Sequence, residues 1–380
     1  MRTRTGDKIQ NKIVALAYGD TFSGKTTLGL EFAYFKREDG SPFRLCVIDC
    51  ESGGVDDALN KLDDNGVDMR NIQVFYTQSL TDVSNILNKI KHNEDFYHYD
   101  DDGMETEEVM VDSEGNPIRF DAVVIDGTNI LKMAQEQSLL NISKDRNRLK
   151  AEKAGLTGLE KRVKIDTADL ETKDYKALNF KGQNLVLDLM AIDVHSYITC
   201  RDKAEKINMK DDNGKTTTID TGRKVIDSFK GIDFNVKTVL HMFNDNGEIY
   251  TIVDKDRTGV HKKGEKIDNP TLLDWEEVLE KNKGVRKYTL DNGLNKAVKT
   301  DMKAYEKETM KSVEKTTVES VNSEEEVNKL RTEINNYVKS QTPPKRKELK
   351  ASLENVGLPT KFSEVKDIET LTKIKNQLGM

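Results

Sequence analysis

The chain has 380 residues, more than one ordinary domain of roughly 100–200, so two or three domains are expected. Hydrophobic residues make up 36% and charged residues 33%. That supplies one sizeable core beside a heavily solvated remainder, and the clustering of the apolar residues excludes disorder of the whole chain. The net charge of −7 argues against a constitutively basic nucleic-acid coat but leaves room for a local basic site.

No apolar stretch approaches the ~20 residues that span a bilayer, and Met1-Arg2-Thr3-Arg4 has no apolar signal segment behind it. A soluble, cytoplasmic protein with no membrane partner is expected. Cys46, Cys50 and Cys200 lack C-x-x-C spacing, which suits buried, reduced thiols.

In chain order, residues 13–18 (Ile-Val-Ala-Leu-Ala-Tyr) predict a buried strand, 25–36 a helix, 44–49 and 72–76 two further strands. Residues 81–91 carry Val83, Ile86, Leu87 and Ile90 at helical spacing, and 121–126 (Asp-Ala-Val-Val-Ile-Asp) is another strand. Alternating strands and helices imply an α/β fold with a mostly parallel sheet covered on both faces. The stretch 93–120 interrupts this pattern with ten acidic residues against the single Arg119. It reads as a surface insertion, part of it an exposed hairpin, that either solubilises the chain or repels or mimics nucleic acid.

A long charged helical segment follows to about residue 176, then a sheet-packing helix over 182–194 and a strand over 196–200. Residues 236–243 and 248–254 predict an antiparallel pair turned at Asn244-Asp245-Asn246-Gly247. Residues 271–280, with the only tryptophan, Trp275, close a core spanning 1–281. Residues 282–323 are polar and read as a linker. Three short helices over 324–340, 344–355 and 364–378 predict a small C-terminal domain, 324–380.

The strongest motif is Gly19-Asp20-Thr21-Phe22-Ser23-Gly24-Lys25-Thr26, which satisfies G-x-x-x-x-G-K-[ST] at every fixed position. The glycines let the loop wrap closely, so that its backbone N–H groups point at phosphates. Lys25 is placed for the β- and γ-phosphates and the Thr26 hydroxyl for Mg²⁺, with Thr27 completing the nucleotide-contacting run. Such a site also needs an acid at the end of a neighbouring strand. Asp126 fits, as a cofactor-binding and metal-side residue. Hydrolysis further needs a carboxylate for the attacking water, and Glu51, just past the strand ending at Asp49, is the candidate. Asp49 either supports the turn or is itself that acid. Asn60-Lys61-Leu62-Asp63 spells a guanine-reading motif but precedes the Asp126 strand, so ATP is preferred over GTP.

Strand, P-loop, helix and then a strand ending in Ile48-Asp49-Cys50-Glu51 resembles the RecA-like branch of the P-loop ATPases. The likeness covers about residues 11–280, and the acidic insertion and small tail look most like phage-encoded, recombination-associated members. It implies a RecA-like core, Glu51 as the water-activating residue, and a γ-phosphate sensor at Cys200 or Arg201 after the strand 196–200. It also implies that Lys255 and Arg257, in Lys255-Asp256-Arg257, reach a neighbouring subunit's site in a homo-oligomeric ring or filament. Single-stranded DNA is the implied partner and recombination, annealing or repair the implied role. A helicase or packaging motor, or a KaiC-like regulator of another protein without DNA, shares the same motifs. For DNA contact the residues offer 144–164, with eight Lys and Arg against three acids, and Pro343-Pro344-Lys345-Arg346-Lys347 at the start of a C-terminal helix.

Overall fold

The computed structural model describes residues 12–100, 102–210, 216–280, 297–302, 323–365 and 368–380. The chain divides into two units, Met1–Asp95 with Val111–Lys296, and Phe96–Met110 with Ala297–Met380. Most of the expected linker over 282–323 lies outside the described residues.

The first unit is built on β1 (Val14–Gly19), β2 (Leu45–Asp49), β3 (Ile72–Tyr76), β6 (Ala122–Asp126) and β7 (His195–Lys210), all parallel in the spatial order β1-β7-β6-β2-β3. The strand β9 (Thr238–Asp245) pairs parallel with β1 on the other side, and β10 (Glu248–Asp256) and β11 (Lys266–Asp268) extend that edge antiparallel. This is the mixed α/β class with a large, mostly parallel sheet that the sequence predicts for a RecA-like core. β1, β2 and β6 are buried at every position, as strands covered on both faces must be.

On one face Ala15, Ala17, Val47 and Val124 join a core with Leu28 of α1 (Lys25–Leu30), Leu62 of α2 (Asp56–Asp64), and Trp275 and Val278 near α7 (Glu276–Glu280). The alternate residues Leu16, Ile48, Val123 and Ile198 are equally buried. After β3 the strands are added back towards β1. Right-handed crossovers therefore carry α3 (Leu80–His92), α4 (Thr128–Lys153), α5 (Gly158–Asp166) and α6 (Thr172–Ala191) to the opposite side of the sheet. α3 is capped as its sequence implies, the Ser79 side chain accepting from the Asp82 N–H and Asn93 closing the helix in the left-handed region.

Four expectations are revised. The helix expected over 25–36 is α-helical only to Leu30 and continues as a 3₁₀ turn, Glu31–Tyr34. The single charged segment before residue 176 is two helices and the start of a third. The helix expected over 182–194 is the second half of the twenty-residue α6. The strand expected over 196–200 is the base of a sixteen-residue β7, which runs past the sheet and pairs with β8 (Thr216–Asp227) as a two-stranded ribbon.

The acidic insertion is split between the units. In the first, Arg44, its side chain 4% exposed, donates to the equally buried Asp112 carboxylate through Nε at 2.9 Å, its Nη2 lying 2.7 Å from the same oxygen. Burial pushes the Asp112 carboxyl up, but hydrogen bonds from the Asn116 backbone, Arg44 and the Glu114 backbone leave it below its ordinary value. In the second unit β4 (Tyr97–Tyr99) and β5 (Glu105–Val109) form a hairpin. Three helices, α8 (Ser323–Ser340), α9 (Pro343–Asn355) and α10 (Ile368–Gln377), enclose a core of Val327, Ile334, Leu353, Leu371 and Ile374.

The Arg44–Asp112 pair yields a stability test. Arg44→Met leaves a buried carboxylate without its cation and is expected to cost about 3–5 kcal/mol, measured by urea unfolding. Because the Asp112 pKa is lowered in the folded state, the carboxylate's contribution is present above the ordinary value of ~3.9 and fades as pH falls through the folded value. The wild-type advantage over Arg44→Met should therefore shrink in acid. An unchanged unfolding midpoint at neutral pH would show that the pair contributes nothing.

Candidate nucleotide site

Parallel strands in register put their carboxyl ends on one edge. Gly19 of β1 lies opposite Arg201 of β7 and Met242 of β9, Asp49 lies opposite Asp126, and Ile125 opposite Ile198. Residues as far apart in the chain as Gly19 and Met242 are thereby drawn to one crevice outside the strand ends, the usual ligand position in open α/β sheets.

The loop from Gly19 to Thr26 is braced from behind. A Cβ on Gly19 would sit 2.1 Å from the Met242 carbonyl oxygen, so only glycine allows β1 to turn there. The Asn244 side chain donates to the Phe22 carbonyl at 2.8 Å, tying the loop to the β9–β10 turn, and Ser23 Oγ donates to the Asp20 carbonyl at 2.8 Å. Phe22 itself is 88% exposed at the loop tip, with φ of 59°. Lys25 Nζ donates to the carbonyls of Gly19 (3.0 Å) and Asp20 (2.6 Å) and to Ser23 Oγ (3.1 Å). Burial pushes the Lys25 pKa down, opposed by the carboxylates of Asp126, Glu51 and Asp202.

Asp126 is 3% exposed and held by two hydroxyls. Thr26 Oγ1 donates to its Oδ1 at 2.9 Å and Thr199 Oγ1 donates to the same oxygen at 2.6 Å. Burial raises the Asp126 pKa, those two hydrogen bonds pull it down, and the charges of Glu51 and Asp49 raise it again. A hydroxyl and a carboxylate meeting beside further acids form the hard-oxygen set that Mg²⁺ takes together with waters and phosphate oxygens. The residues present fit that ion, Thr26 and Asp126 being the ones to hold its shell.

Asp49 accepts from the N–H groups of Glu51 (2.8 Å) and Gly53 (2.6 Å), so both its oxygens serve the turn that presents Glu51. Of the two roles left open by the sequence, support of the turn is the one these contacts describe. Glu51 reaches towards Arg201, whose Nη2 donates to its carboxylate at 3.3 Å. A Cβ on Gly127 would fall 2.7 Å from Glu51 Cγ, so the glycine after Asp126 makes the space that Glu51 occupies. Cys200 is buried and its thiol is pushed up to about 12 by that burial. Arg201 is the half-exposed, charged member of the two sensor candidates.

Thr199 was not anticipated. Besides binding Asp126 it accepts from the Gly127 N–H at 2.9 Å, and its carbonyl accepts from Thr128 Oγ1 at 2.8 Å. The signal was present, since a threonine inside the buried run Tyr197-Ile198-Thr199-Cys200 must find partners. Lys255 and Arg257 are not drawn to this chain's loop. Lys255 Nζ donates to the carbonyls of Asp233 (2.8 Å) and Phe234 (3.0 Å), and Arg257 Nη2 to that of Phe234 at 3.5 Å.

The basic segment 144–164 is largely neutralised within the chain. Arg146 forms a bidentate pair with Asp174 at 3.0 and 2.9 Å, and Arg148, Lys150, Lys161 and Arg162 face Asp145, Glu171, Glu152 and Asp166.

Comparison with protein-family models and with curated proteins returns no match. Among solved structures the chain is similar to the RadB recombinase at 13% identity and a TM-score of 0.35, over 67% of this chain and 86% of that one. At that level no residue role transfers.

Gly127→Ala tests the geometry. The added methyl, at a left-handed φ of 91° that strains any side chain, must also displace Glu51 by about an ångström, a misplacement able to cost roughly 10²-fold in rate, while the Gly19–Thr26 loop keeps its contacts. Turnover should fall with nucleotide affinity retained, read from steady-state rates beside titration with a fluorescent ATP analogue. Equal loss of both would mean that the glycine serves the fold rather than Glu51.

Proposed function

We propose that this chain is a Mg²⁺-dependent ATPase of the RecA-like type whose hydrolysis is coupled to single-stranded DNA, acting as a homo-oligomer in recombination, annealing or repair. A cytoplasmic setting, that of the host for a phage-encoded protein, belongs to the same reading. The observation that carries it is the convergence of Lys25 and Thr26, Asp126, and Glu51 on one crevice from three separate segments. Phosphoryl transfer asks a protein for positioning and charge neutralisation more than covalent chemistry. Mg²⁺, when bound, neutralises the phosphate oxygens. Lys25 exchanges its loop carbonyls for the β- and γ-phosphates, Thr26 and Asp126 hold the metal's shell, and Glu51 orients the attacking water.

The strand β7 supports the coupling. It passes Thr199 against Asp126 and Arg201 against Glu51, then runs on into the ribbon with β8, whose register shifts between Ala204 and Lys206. The ribbon exposes Lys206, Lys210 and Arg223, with Ile207, Met209 and Ile219 also in solvent. Cations for the backbone beside apolar side chains for bases suit a single strand. Lys203 and Lys224 of the ribbon pair with Asp227 and Asp202, and Lys206 stands opposite Asp220, so among the described residues Lys210 and Arg223 are the cations it offers.

ATPase rates with and without an oligothymidylate test the reading. DNA should stimulate turnover, Lys25→Ala should abolish it, and Glu51→Gln should reduce it roughly 10²–10⁴-fold with ATP affinity little changed. Wild-type turnover in purified Lys25→Ala protein would remove the ATPase claim, and a rate indifferent to DNA would remove the coupling.

The trans role of Arg257 is a separate proposal, supported by its turning away from its own loop. Arg257→Ala should lower turnover about 10³-fold, the scale of an arginine finger. Mixing it with Glu51→Gln should restore part of the activity, because some interfaces then combine an intact Glu51 with an intact partner arginine. Mixed oligomers as inactive as either parent would end the proposal.

A further inference from the structure

The acidic insertion and the C-terminal helices, far apart in sequence, meet within the second unit. Glu105 of β5 accepts from Arg346 of α9 at 3.3 Å, and Glu107 lies 2.8 Å from Lys347. Glu105 and Glu107 are two residues apart on one strand, so they share a face with their charges ~7 Å apart. The surface they meet is strongly basic. Lys339, Lys345, Lys347 and Lys350 are exposed around Arg346, with Glu348 the only acid between Lys345 and Lys350. Arg346 is preset, its Nε donating to the Val338 carbonyl at 3.1 Å and its Nη2 to that of Lys339 at 2.5 Å. That fixes a planar guanidinium, the group that matches phosphate geometry, at the point the hairpin covers.

We propose that this face of α9 is a phosphate-backbone site for single-stranded nucleic acid, and that the acidic hairpin is its built-in competitor. The choice of single-stranded DNA rests on the proposed function, but the site itself does not. Two features argue for an exchangeable occupant rather than a fixed clamp. The Lys347–Glu107 pair is exposed on both sides, at 76% and 51%, and such pairs contribute about 1 kcal/mol or less, so the largely buried Arg346–Glu105 pair, at 17% and 14%, is the one contact a polyanion has to replace. Tethering on one chain supplies the rest, because an effective concentration of order millimolar lets weak contacts hold off dilute polyanions. A long strand, which engages Lys350 and takes Lys345 from its 2.8 Å pair with Glu348 as well, displaces the hairpin where a short one does not. The helices keep their own apolar core throughout, so the hairpin can leave without unfolding them.

The test uses the full chain and a fluorescein-labelled oligothymidylate. Glu105→Gln with Glu107→Gln should tighten binding about tenfold at low salt. It should also steepen the salt dependence by about 1.4, two phosphate contacts at ~0.7 each. Basal ATPase should be unchanged. Adding Lys345→Gln, Lys347→Gln and Lys350→Gln, all exposed positions, should cancel the gain, with thermal unfolding confirming that each variant is folded. Binding no tighter than wild type, or a gain that survives loss of those three lysines, overturns the proposal. Stimulation of wild-type ATPase is the separate readout of the proposed function. A tenfold gain without stimulation keeps the site and removes the coupling, and stimulation without a gain does the reverse.

Discussion

A carboxylate 3% exposed beside two further acids governs the first unit, because Asp126 can stay charged there only if its surroundings are built for it. Its two hydroxyl donors come from different elements, Thr26 from α1 and Thr199 from β7. Both reach it only because β1, β7 and β6 run parallel and in register. Leaving a buried acceptor unpaired costs about 1–3 kcal/mol, and more for a charged one, so strand order and loop conformation are tied to this one group. The same crowding of negative charge makes the edge receptive to cations. Arg201 pairs with Glu51, and the attraction of Lys25 to Asp126 and Glu51 opposes the burial that lowers its pKa.

The parts of this edge visible in the sequence were those whose chemistry is local. The run Gly19 to Thr26 is a contiguous loop, and Asp126 and Glu51 each follow a short apolar block, so spacing alone marks them. Thr199 and Gly127 act through partners 73 and 76 residues away, on Asp126 and Glu51, and only the fold supplies those partners. The roles of Cys200 and Arg201 separate for a related reason. Every residue of β7 up to Cys200 is buried, and Arg201, on the side of the strand that Thr199 shares, is the first one exposed.

The ribbon escaped notice because its strands are charged on both faces. Lys203 to Lys210 alternates Lys, Glu, Ile and Asn without the apolar face that marks a strand packed on a core. Its pairing with β8 is instead carried by backbone hydrogen bonds and by cross-strand neighbours such as Ile207 with Ile219 and Lys206 with Asp220. The acidic insertion escaped in the opposite sense. Its composition suggested a solvated surface, yet Asp112 is buried against Arg44, and Glu105, its side chain 14% exposed, is partly shielded beside Arg346. Composition reports charge but not where the counter-charge is.

In the proposed cycle the Glu51–Arg201 contact has the right strength for its place. At 3.3 Å it is longer than the 2.7–2.9 Å usual for charge-assisted hydrogen bonds, and Arg201 is half exposed. Such a pair contributes about 1 kcal/mol or less. A much tighter pair would hold Glu51 away from water even with ATP bound, and none at all would leave the carboxylate unrestrained in the empty site. A weak pair yields when a γ-phosphate offers Arg201 a denser negative charge, and the freed Glu51 is then available to water. Arg201 stands at the start of the ribbon, so whatever grips the ribbon acts on the residue that restrains Glu51. That shared residue, rather than any long pathway, is how a strand of DNA and a phosphate would come to bias the same carboxylate.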